Sequence, residues 1–193
     1  MELRIYRFRI RGGYIVIIGL GEGLGFLKQG NKFIYGVRFD KQTISLTKQA
    51  YDVWRLANLA VYERESLSKN LNLSSKEVKK HVKSLENLGL LIEWPMKNPN
   101  KAFLDMYTII PKGKMLKYEN DEGILYELFN DQNTSYDILP TTIWRLANPF
   151  MTLNKILENV VSTTNLKEEE VIELSLKWIP YLINQGFLSV EKW

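Results

Sequence analysis

Trp54-Arg55-Leu56-Ala57-Asn58 recurs as Trp144-Arg145-Leu146-Ala147-Asn148, an identical pentapeptide 90 residues further along a chain of 193. The flanks of the two copies agree as well. Upstream, Ile17-Ile18, Gly21 and Leu24 are matched by Ile109-Ile110, Gly113 and Leu116. Downstream, Asn72-Leu73 and Val78 are matched by Asn165-Leu166 and Val171. Further on, Leu85 and Gly89-Leu90-Leu91 are matched by Leu182 and Gly186-Phe187-Leu188. The landmarks keep their order with small insertions between them. The chain therefore reads as a duplicated unit of roughly 90 residues, a workable size for a small domain.

Both copies have the same pattern. Alternating and apolar runs predict strands at 14–20 and 32–39 in the first copy, and at 103–110 and 124–129 in the second. A helix carrying the repeated pentapeptide is expected at 47–62 and at 140–148; Pro140 suits a first turn, where its missing N–H costs nothing. A short helix follows, near 65–70 and 153–161. The third helix is expected at 75–88 and 167–185. In the first copy its start is marked by Ser74 with Glu77 three residues on, a capping-box pattern, and its end by Gly89. A strand at 90–93, a turn over Pro95-Met96-Lys97-Asn98-Pro99-Asn100 and a returning strand at 101–110 complete the expectation as a hairpin.

Helix, short helix, longer helix and hairpin is an order that resembles the winged helix-turn-helix superfamily. The segment from Leu67 through Ser74-Ser75-Lys76-Glu77-Val78 to Leu85-Glu86-Asn87-Leu88-Gly89-Leu90-Leu91 carries the resemblance. It covers 47–110 well and 140–190 in outline, without a second wing strand. It implies an α+β chain of two tandem winged-helix-like modules, each with N-terminal β-strands, three helices and a strand or wing. Residues 1–102 would form a module with a basic third helix, and residues 103–193 an acidic one. Strands followed by a helix with a central Trp and two helices ending in a Gly-Phe-Leu-like stop are also similar to PqqD-like peptide-recognition domains. That resemblance implies a peptide added to the edge of the N-terminal strands, lying against the third helix.

Charge divides along the same line. Residues 1–100 hold 17 Lys and Arg against 9 Asp and Glu, whereas residues 101–193 hold 9 against 13. Such asymmetry fits an anionic partner for the first half alone. On a helical wheel, Val78, Val82, Leu85 and Leu88 fall on one side of the third helix, and Lys76, Lys79, Lys80, Lys83 and Asn87 on the other. In a helix-turn-helix this outer face enters the major groove of duplex DNA. Ser75, Lys76, Lys79, Lys80, Lys83 and Asn87, with Lys97 and Lys101 from the wing, are thus the candidate DNA-binding residues; lysines neutralise phosphate while Ser and Asn reach base edges. The second copy begins its third helix Lys167-Glu168-Glu169-Glu170, which would repel phosphate. It is expected instead to pair with another chain, as in a homodimer, or to pack on the first module.

Other chemistries find little support. Cysteine is absent and His81 is the only histidine, so thiolate catalysis, disulfides and the common zinc sites are excluded. His81 falls at the edge of the apolar side, as a partly buried structural residue would. Gly19-Leu20-Gly21-Glu22-Gly23-Leu24-Gly25 lacks the Lys-Ser/Thr of a phosphate loop and the spacing of the dinucleotide fingerprint. A hairpin loop or bulged strand accounts for it better. The run Arg4, Arg7, Arg9, Arg11 before Tyr14 is interrupted too early for a signal peptide, and reads as an amphipathic strand at 3–10. No apolar stretch reaches the ~18 residues of a membrane span. The expectation is a cytoplasmic, non-enzymatic protein without cofactor or metal. It would be a DNA-binding transcription regulator acting through its first module, or alternatively a protein- or peptide-binding adaptor.

Overall fold

The structure is a computed structural model that describes residues 15–29, 32–39, 41–59, 62–119, 122–127, 132–164 and 166–193. The strand expected at 3–10 lies outside them. The protein is mixed α+β, and its described residues divide into two compact units, Ile15–Trp94 and Pro95–Trp193. The first unit runs β1 (Ile15–Gly19), β2 (Glu22–Gln29), β3 (Lys32–Phe39), β4 (Gln42–Leu46), α1 (Lys48–Leu59), α2 (Arg64–Leu71), α3 (Ser75–Asn87) and β5 (Leu91–Pro95). The second opens with a short helix, α4 (Lys101–Met106). It then repeats the order: β6 (Tyr107–Pro111), β7 (Lys114–Glu119), β8 (Glu122–Glu127), β9 (Gln132–Tyr136), α5 (Ile138–Leu146), α6 (Leu153–Thr163), α7 (Glu168–Asn184) and β10 (Leu188–Lys192).

The sheets repeat with the elements. β2-β3-β4 and β7-β8-β9 are three-stranded antiparallel meanders. Each first strand pairs with the last, β1 with β5 and β6 with β10. Even the irregularities coincide, with one register shift between Gly23 and Gly25 and another between Met115 and Lys117. One backbone residue organises each copy. The Leu20 N–H donates to the Leu90 carbonyl at 2.9 Å, and the Trp54 indole N–H donates to the Leu20 carbonyl at 2.7 Å. In the second copy the Lys112 N–H donates to the Phe187 carbonyl at 2.8 Å, and the Trp144 indole donates to the Lys112 carbonyl at 2.9 Å. The duplicated Trp thus ties the first helix to the strand end that the last strand also holds. Trp54 is buried and Trp144 half-buried.

The local signals at the third helix act as their chemistry requires. The Glu77 N–H donates to Ser74 Oγ at 3.3 Å and the Ser74 N–H to Glu77 Oε2 at 2.8 Å, which closes the capping box. At the far end, the Gly89 N–H reaches Glu86 O and the Leu90 N–H reaches Leu85 O, with Gly89 at φ 71°. Gly186 does the same at φ 77°, its own N–H on Ile183 O and that of Phe187 on Leu182 O. This termination leaves the chain in a left-handed step that glycine takes without a Cβ clash. Inward residues of α3, namely Val78, Val82 and Leu85, share one core with Ile17, Val37, Leu46, Val53, Trp54 and Leu67.

Two expectations are corrected. The returning strand at 101–110 is helical over its first part, because the Asn100 side chain accepts from the Phe103 N–H at 2.7 Å and caps α4. The strand after it, β6, pairs with β10, and β5 pairs with β1, so no hairpin wing joins 90–93 to 101–110. Asn is as good an N-cap as it is a turn residue, and the 95–100 segment therefore leads into a helix instead of a strand. Of the two forms expected for Gly19–Gly25, the bulged strand is the one present: β1 ends at Gly19, Leu20 and Gly21 connect, and β2 has its register shift between Gly23 and Gly25.

Candidate ligand-binding surfaces of the first unit

Lys76, Lys79, Lys80 and Lys83, with Ser75 and Asn87, are all exposed on α3, opposite its buried valines and leucine. None of the four lysines has an ion pair among the described residues. The acids on the same helix are engaged elsewhere. Glu77 is tied to the Ser74 hydroxyl and backbone N–H, which hold its carboxyl below the usual range. Glu86 is half-buried, and burial raises its carboxyl above that range against the pull of Arg64 and Lys83. His81 is half-buried beside this face. Lys97 and Lys101, the expected wing lysines, belong to the other compact unit. Both are exposed, and Lys97 Nζ lies 3.4 Å from Glu173 Oε1. The structure therefore gathers six of the eight candidate residues on one helix face and assigns the remaining two elsewhere.

The edge of the N-terminal strands expected to take a peptide ends in a strand the sequence does not announce, β4. β4 is hydrogen-bonded to β3 on one side, and no strand among the described residues covers its other side. Thr43 and Ser45 are exposed, whereas Ile44 and Leu46 face the core that they share with α3. The β3–β4 turn sits against the end of α3, since a Cβ on Gly89 would lie 3.2 Å from Phe39 Cε1. The turn that leads into β4 thus lies beside the C-terminal end of α3. The signal was present in the alternation of Gln42-Thr43-Ile44-Ser45-Leu46, but with two apolar residues it is too weak to stand out.

The glycines of β1 and β2 serve packing. A Cβ on Gly19 would come within 2.6 Å of the Asn58 backbone, and one on Gly23 within 3.1 Å of the Trp54 ring and the Tyr51 hydroxyl. Gly21 has φ 89°, and its carbonyl accepts from Asn58 Nδ2 at 2.9 Å. The strands can approach α1 this closely only without side chains, and no phosphate cradle is implied. Among the described residues no helix is long and apolar enough to cross a membrane, and no cluster of three or more His, Asp or Glu is placed to hold a metal ion. No family model matches the chain, and neither does any curated protein.

Proposed function

We propose that the protein is a non-catalytic binding protein whose first unit captures an extended polypeptide by strand addition to the side of β4 that no described strand covers. The observation that carries this reading is the sheet arrangement. The strand following the third helix pairs with β1, while the meander before the first helix ends in β4, whose outer side no described strand covers and which runs straight into that helix. Main-chain N–H and C=O groups along such an edge are a ready template for another strand. This is the geometry that the PqqD-like resemblance implies. The three-helix order remains the one shared with winged-helix modules, and we read the chain as two such modules with rearranged strands.

The test is amide hydrogen exchange on the full chain, with and without peptides selected from a random display library. Bound peptide is expected to slow exchange along Gln42–Leu46. Selected peptides that leave those amides unprotected would rule the reading out. Duplex DNA on α3 is the second reading, favoured by the unpaired lysine face. It predicts retention of duplex fragments at low salt, falling steeply as salt rises, and loss of retention in a Lys79→Glu, Lys80→Glu, Lys83→Glu variant. If the native protein retains no duplex at low salt, that reading is gone.

A further inference from the structure

The lysine face of α3 is costly to its own helix. Lys76 and Lys79, Lys76 and Lys80, Lys79 and Lys83, and Lys80 and Lys83 are three or four residues apart, so each pair is a like-charge contact on one helix surface. Lys76 also stands in the first turn, where the free N–H groups already present positive charge and disfavour a cation. The acids of α3 offset little of this: Glu77 is bound to Ser74, and the half-buried Glu86 attracts Lys83 alone of the four. The equivalent helix shows that the fold does not require this charge. α7 opens with Glu168, Glu169 and Glu170, exposed and favourably placed in a first turn. Local stability thus explains the glutamates of α7 and runs against the lysines of α3.

We infer that the polypeptide taken up along β4 is acidic, with its carboxylates meeting Lys76, Lys79, Lys80 and Lys83 of α3. The inference rests on the strand-addition reading and adds the partner's chemistry to it. Three observations support the match. β4 carries no charged residue, so the edge itself sets no charge preference. Leu46 of β4 and Val78, Val82 and Leu85 of α3 belong to one core, with Ile44 packed against it, so both surfaces belong to the same compact unit. Lys41, exposed in the β3–β4 turn, adds a cation at the end of the edge. An acidic partner removes the mutual repulsion of the lysines on binding, and steers association at low salt.

The experiment selects binders to the full chain from an unbiased 14-residue phage-displayed library. It then measures the affinity of the enriched peptide and of its Glu-to-Gln, Asp-to-Asn counterpart. The enriched pool is expected to be net acidic. The neutralised peptide, and the Lys79→Glu, Lys80→Glu, Lys83→Glu protein, should each lower affinity roughly tenfold or more, the scale of several surface ion pairs. A Lys-for-Glu version of the peptide should recover affinity on the charge-reversed protein, which also shows that the variant is folded. A neutral or basic pool, or equal affinity for native and variant protein, overturns the inference while the strand-addition reading stands, provided the β4 amides are protected. Peptides bound without β4 protection overturn both. Failure to select any peptide, together with duplex DNA retention that the lysine substitutions abolish, overturns both in favour of nucleic acid.

Discussion

Leu20 and Lys112 have no chemistry in common as side chains, yet their backbone groups do the same work in the two copies. Each accepts from the duplicated Trp and donates to the residue after the glycine cap. Trp54→Phe keeps most of the ring and removes the donor. The Leu20 carbonyl is then left without its indole partner, at a cost of about 1–3 kcal/mol. Trp144→Phe should cost less, because Trp144 is half-buried and water can reach the carbonyl it leaves. Urea unfolding of the two variants checks the order; equal losses would show that burial is not what separates the copies. The glycines make a second contrast. Gly19→Ala forces a Cβ into the Asn58 backbone at 2.6 Å, whereas Gly25→Ala meets nothing within 4 Å and suffers only from φ 68°. The first should lose about 1–3 kcal/mol as overpacking and the second about 1 kcal/mol, read from the same urea curves.

At the scale of elements, α3 is the best-specified segment in the sequence, and the structure shows why. Its cap, its apolar stripe and its stop are all local, and each needs only neighbours within a few residues. Ser74→Ala should cost about 1 kcal/mol in thermal or urea unfolding. The linked pH effect has a definite sign. Hydrogen bonding to Ser74 lowers the Glu77 carboxyl in the folded state, so its contribution is fully present above the unfolded value of about 4.3. It is lost as pH falls through the depressed folded value. The stability gap between native protein and Ser74→Ala should therefore narrow on acidification through that window; a gap that widens would contradict the capping box. Strand pairing was less legible, because a strand's partner is set by distant residues. The apolar run at 90–93 announces β5 without saying whether it joins the segment after it or β1. Asn100 has the look of a turn residue, yet its side chain caps a helix, and Thr43 and Ser45 make β4 look polar.

Across the whole molecule, the duplication was readable because glycines at special backbone positions leave a trace that survives divergence. Gly21 and Gly113, and Gly89 and Gly186, all have positive φ, where other residues are strained. Charge is free to vary on exposed positions, and the halves have separated into a basic and an acidic one. That division, visible in composition alone, did not reveal which ligand the basic surface meets. A molecule of this kind should show binding that depends strongly on ionic strength for ligands of the first unit. Titrations at 50 and 300 mM salt are expected to differ by about tenfold or more if several lysines contribute; near-identical curves would mean that the edge strand acts alone.

The pairing of the first and last strands has a consequence for how such a chain arises. Tyr107 lies opposite Lys192 in the β6–β10 ladder, so the strands that open and close the repeated part of this copy lie side by side. A segment with adjacent ends is closed in itself, and a second one can be spliced in series by a short connector without opening either.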